Sequence, residues 1–135
     1  MIGLTNIFSA APDMSNAPIA AIYGHKSGTS YSTPLNSVRV SYNRDYFTYS
    51  DGVFTVKKAC SIVISAFTSP RNNPNSGKTN TATHKILING TSQGESTKST
   101  STLSCTLTVN DTIQYQCKGS TSGGIGGGIG INLSA

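Results

Sequence analysis

From residue 19 onward, short runs of alternating apolar and polar side chains are separated by turn formers. Val38, Val40 and Tyr42 alternate with Arg39 and Ser41, the period of two expected of a half-buried strand. Phe54 and Val56 alternate with Thr55 and Lys57, after the turn signal Ser50-Asp51-Gly52. Cys60, Ile62, Ile64 and Ala66 continue on one face and Ser61, Val63, Ser65 and Phe67 on the other, a strand apolar enough to be central. Residues 84–89 read as a strand closed by Asn89-Gly90, the strongest short hairpin signal. Leu103, Cys105, Leu107 and Val109 alternate with Ser104, Thr106 and Thr108. After Asn110-Asp111 turns the chain, Ile113, Tyr115 and Cys117 alternate with Gln114 and Gln116. If that turn closes a hairpin, Cys105 comes near Cys117.

The two ends differ from this pattern. Ile129, Ile131 and Leu133 alternate with Gly130 and Asn132 and predict a last strand, with a flexible glycine tail as the alternative. Its glycines leave one face bare, so another backbone or an aromatic ring can approach closely. Residues 1–20 carry Ile2, Leu4, Ile7 and Phe8, then Pro12 and Pro18, which interrupt any helix. They read as an extended arm, or a short helix, followed by a linker. The breaker cluster at residues 69–77 predicts a long exposed loop. About eight short strands joined by turns predict an all-β fold, an antiparallel jelly-roll sandwich with a short extended N-terminal arm. The expected division is an arm at residues 1–20 and a head at 21–135.

Composition supports a β fold. Ser, Thr and Asn supply 48 of the 135 residues, and only 11% are charged. Polarity therefore comes from hydroxyls and amides, unlike a helical bundle or a highly charged disordered chain. The net charge is +5, but the bases are scattered, with Lys57–Lys58 the one adjacent pair. A nucleic-acid binder concentrates its charge, so none is expected as a partner. No apolar stretch is long enough to span a membrane. With Lys26 the first positive side chain, no secretory leader is expected, and synthesis in a cytoplasm is. Cys60, Cys105 and Cys117 read as small buried thiols, with a Cys105–Cys117 bridge as the rival.

Candidate chemistry is thin. His25 and His84 stand alone, there are five acids, and no Gly-x-Ser-x-Gly elbow occurs. Asp51 and Asp111 fall in turns, where Asp is favoured for backbone reasons. Gly77-Lys78-Thr79 lacks the earlier glycine of a phosphate loop, because Asn stands at 72. No metal spacing is present, so no enzyme activity and no cofactor are expected. What remains is a surface for contact. Tyr23, Tyr31, Tyr42, Tyr46, Tyr49 and Tyr115 suit edge-of-core packing, a subunit contact or a glycan platform.

Several segments resemble tumour-necrosis-factor-like and complement globular-head jelly rolls. They are Tyr46-Phe47 with Asp51-Gly52-Val53-Phe54-Thr55-Val56-Lys57-Lys58-Ala59, the Ile62-Ile64-Ala66 strand, His84-Lys85-Ile86-Leu87-Ile88-Asn89-Gly90, and Leu107-Thr108-Val109-Asn110-Asp111-Thr112-Ile113-Gln114. The similarity spans residues 35–134. It departs at Cys60, where the family carries Gly, and at Ser61 and Ile62, where it carries aromatics. The resemblance implies a homotrimer of tapering heads, used by bacterial viruses as fibres, spikes and capsid decorations. The expected function is thus a non-enzymatic virion structural protein of a bacteriophage, made in the host cytoplasm. Its arm would anchor on a capsid or tail protein through Ile2, Leu4, Ile7 and Phe8. Tyr46, Tyr49, Ile125, Ile129, Ile131 and Leu133 are the expected oligomer interface. Loops at 71–83 and 92–101, with Arg71, Asn72, Asn75, Lys78 and Lys98, would meet a host surface or its glycan. The alternative is a carbohydrate- or surface-binding, lectin-like module.

Overall fold

Strands with one apolar face need a second layer to cover it. The computed structural model, which describes residues 18–34, 36–70 and 80–134, supplies that layer as two antiparallel sheets face to face. The strands are β1 (Ala20–Ser27), β2 (Asn36–Tyr42), β3 (Phe47–Ser50), β4 (Val53–Val56), β5 (Cys60–Pro70), β6 (Ala82–Ile88), β7 (Thr91–Ser96), β8 (Thr100–Leu107), β9 (Thr112–Gly119) and β10 (Gly124–Leu133). Sheet A has the order β2-β1-β10-β5-β8 and sheet B the order β3-β4-β9-β6-β7. Each sheet interleaves early and late strands, as a jelly roll does. The all-β jelly-roll sandwich expected from the sequence is the fold observed.

Turn chemistry sets the hairpins. Asp51-Gly52 joins β3 to β4 and Asn89-Gly90 joins β6 to β7, and all four residues have positive φ, the conformation of a two-residue hairpin turn. Asn110 also has positive φ, but its turn carries the chain from sheet A to sheet B. That corrects the hairpin reading of β8 and β9. Cys105 lies opposite Ile62 on β5, Cys117 lies opposite His84 on β6, and all three cysteines are free thiols. Two segments read as loops are partly strands. Residues 91–96 form edge strand β7, which leaves only 97–99 as a turn, and β6 begins at Ala82. The head also reaches back past residue 21, because Ile19 donates a hydrogen bond to the Ile131 carbonyl.

The glycine-rich C-terminal segment is an interior strand. It pairs with β1 from Gly124 to Ile131 on one side and with β5 from Ile125 to Leu133 on the other. Ile125, Ile129 and Ile131 point inward and are fully buried with Ile22, Ile62, Ile64, Phe54 and Ile113. Gly127 points inward as well. Tyr115 of sheet B crosses the core there, and its hydroxyl donates to the Phe67 carbonyl at 2.7 Å. A Cβ at 127 would overlap that hydroxyl and stand 2.7 Å from the Phe67 oxygen. On the outer face Gly128 lies between Tyr23 and Phe67, whose rings stack at 5.6 Å.

Gly127→Ala therefore overpacks the centre of the sandwich, an effect of about 2–3 kcal/mol. In urea denaturation, G127A is expected to lower the unfolding free energy by that amount and the midpoint with it. G127A/Y115F should recover part of the loss, because the Phe67 carbonyl still crowds the new methyl group. A G127A midpoint equal to the parent's would refute this packing.

Candidate functional site

The registers give the sandwich two distinct ends. At one end the described chain begins at Pro18, β1 starts, β10 finishes, and the β2–β3, β4–β5, β6–β7 and β8–β9 connections turn. At the other end β5 stops and β6 starts, and the 97–99 turn and the 120–123 connection lie there.

At the first end, Lys57 donates to the Arg44 carbonyl at 2.8 Å, Lys58 lies 5.1 Å from the centre of the Tyr46 ring and Arg44 lies 5.9 Å from that of Tyr42. Asp111 accepts from the Thr108 amide at 2.8 Å and the Asn89 amide group at 3.0 Å, and these bonds lower its pKa.

At the second end, Lys26 is buried, and burial lowers its pKa. Its ammonium donates to the Ser30 carbonyl and, at 2.7 Å, to the Cys117 carbonyl. Nearby, Ser32 bridges to Cys117, which lays residues 31–32 alongside β9. The Tyr31 ring then sits between two ammonium groups, Lys85 at 4.1 Å and Lys118 at 4.5 Å. Burial first, and Glu95 second, raise the pKa of the Tyr31 hydroxyl, which is buried without a hydrogen bond of normal geometry.

His84 is the polar tie between the sheets. It projects inward from sheet B and is 1% exposed. Its Nδ1 lies 2.7 Å from Thr68 Oγ1 and its Nε2 2.6 Å from Ser101 Oγ, both on sheet A. Tyr115 stacks on it at 6.1 Å. A cavity of about 190 Å³ opens beside it at the β7 and β8 edges, lined by Glu95, Ser96, Ser101, Thr102 and Leu103 among others. The pair Ser101–His84 has the spacing of a nucleophile and base, but the group that orients the ring is a threonine and not a carboxylate. The arrangement joins two sheets. Among the described residues, no group of three or more His, Cys, Asp or Glu could hold a metal ion, and no helix is long and apolar enough to cross a membrane.

No protein-family model matches the chain, and no curated protein does. Among solved structures, rabbit GITRL aligns with 10% identity over 86% of this chain and 94% of its own, at a TM-score of 0.48. Pika GITRL aligns with 13% identity over 86% and 95%, also at 0.48. The jelly-roll assignment rests on the strand order of the two sheets.

The expected site residues separate into three groups. Ile2, Leu4, Ile7 and Phe8, and Arg71, Asn72, Asn75 and Lys78, lie outside the described residues. Lys98 is exposed in the 97–99 turn. Of the expected interface, Ile125, Ile129 and Ile131 are at most 1% exposed within the single chain. They fill its core and have no side-chain surface left to offer a neighbour. Leu133 is 38% exposed. Tyr46 and Tyr49 are half-buried against the core, and Tyr49 packs on Phe54 at 5.1 Å and Tyr42 at 6.1 Å. Sequence reasoning missed Tyr31 with Lys85 and Lys118, because they come together from three separate segments.

Burial lowers the His84 pKa below its ordinary 6.5. As pH falls, the unfolded chain takes up this proton first. The stability owed to neutral His84 is then complete above about pH 6.5 and is lost progressively below it. The thermal midpoint is expected to fall between about pH 7 and about pH 5, and His84→Gln should flatten that slope. An unchanged slope in H84Q would contradict the assignment.

Proposed function

We propose that this protein is a virion structural protein of a bacteriophage, a capsid decoration, head fibre or spike. It acts as a homotrimer of β heads held by the N-terminal arm to a capsid or tail protein. One observation carries the reading. The described chain begins at one end of the sandwich, and β5 stops, β6 starts and the β7–β8 connection lies at the opposite end. An anchor at the first end therefore leaves the second directed away from the particle, toward a host surface or its glycan.

The placement of polar groups also favours contact over bond-making. Lys26, His84, Asp111 and Tyr115 are engaged by hydrogen bonds inside the fold. Asn80 is likewise spent on the amides of Ser120 and Thr121. Trimerisation would cover apolar side chains that a lone head leaves in water, including Tyr23, Val38 and Leu133, each 37–38% exposed. The lectin-like alternative finds support in the exposed Tyr23 ring stacked on Phe67.

Sedimentation equilibrium of the whole chain at micromolar concentration is expected to give three times its 14.0 kDa mass. A chain lacking residues 1–17 should stay trimeric but fail to join phage particles, and antibodies to the head should label intact particles. A stable monomer, or heads hidden from antibody, would overturn the proposal.

A further inference from the structure

We propose that the patch formed by Tyr31, Lys85 and Lys118 on the outer face of sheet B binds an acidic polysaccharide. This deepens the contact reading above, on which it rests for the choice of a surface polymer. Lys85 lies between the buried His84 and Ile86, and Lys118 between the buried Cys117 and Gly119, so both side chains point outward. Lys85 stands opposite Gln116 and Lys118 opposite Thr83, which makes the two lysines diagonal neighbours. The Tyr31 ring lies against both ammonium groups, at 4.1 and 4.5 Å. A ring face holds an ammonium group in place without neutralising it, as a carboxylate would.

The other charges around the patch leave it positive. Glu95 stands opposite Lys85, and its influence falls on the Tyr31 hydroxyl; it forms no ion pair with either lysine among the described residues. Lys26 lies beneath on two carbonyls, and Lys98 is exposed in the 97–99 turn. Thr83 and Gln116 share the outer face and supply a hydroxyl and an amide for sugar hydroxyls.

Two fixed ammonium groups with the Glu95 carboxylate opposite Lys85 leave one net positive charge among neutral hydrogen-bonding side chains, which matches a polymer of sparse charge. A nucleic acid would need several phosphate contacts along its backbone and open aromatic faces for its bases. Here the Tyr31 ring already carries the two ammonium groups.

The test is affinity electrophoresis of the full-length protein in gels containing polygalacturonate, neutral dextran or duplex DNA. Polygalacturonate is expected to retard the protein, added salt to abolish the retardation, and dextran to have no effect. Lys85→Gln with Lys118→Gln should weaken retardation about tenfold, the loss of two charge-assisted contacts. Sedimentation of the double variant should match the parent. Absence of retardation by polygalacturonate, equal retardation of K85Q/K118Q, or stronger retardation by DNA would overturn the site. A trimer that ignores polygalacturonate defeats this inference alone. A monomer retarded in a lysine-dependent way upholds the site and defeats the assembly reading.

Discussion

Strand β10 sits in the middle of sheet A with few side chains of its own, and the rest of the sandwich is arranged around that fact. Its backbone is paired on both sides, to β1 and to β5. Its isoleucines fill the core, and its glycines leave space that other strands occupy. Tyr115 reaches through the inner space to the Phe67 carbonyl, and Tyr23 and Phe67 meet across the outer one. Glycine ordinarily weakens a strand, because it loses more chain entropy and contributes no packing. Here that cost is offset by two ladders of hydrogen bonds and by large rings set close to the backbone.

The polar groups follow the same economy. A buried polar atom without a partner is costly, so the interior uses pairs that link the two layers. His84 binds Thr68 and Ser101 across the sandwich, and Lys26 binds two carbonyls near β9. These bonds fix the separation of the sheets and keep the chemistry-bearing side chains occupied. On the outer face of sheet B, Lys85 and Lys118 lie against the Tyr31 ring.

Much of this was readable in the chain. Alternation marked β2, β4, β5, β8 and β9, and Asn89-Gly90 marked the end of β6 and its hairpin, because each is a local property of backbone and side chain. Strand β7 was not readable, since Thr91–Ser96 is a polar edge with no buried face to impose a period. The β8–β9 connection looked like a hairpin because a turn former does not reveal whether the chain stays in one sheet. Ile125, Ile129 and Ile131 looked like interface because nothing local distinguishes apolar side chains facing a second layer from those facing a second subunit. The Tyr31 patch depends on three distant segments meeting, which no single window of sequence contains.

Native-state hydrogen exchange along residues 124–133 tests the central arrangement most directly. If β10 is the paired interior strand, the amides of Gly126 to Gly130 exchange as slowly as those of β5 and β9, near the limit of global unfolding. Exchange there as fast as in the 97–99 turn would mean that the glycine segment is not held between β1 and β5, and the account built on it would fail.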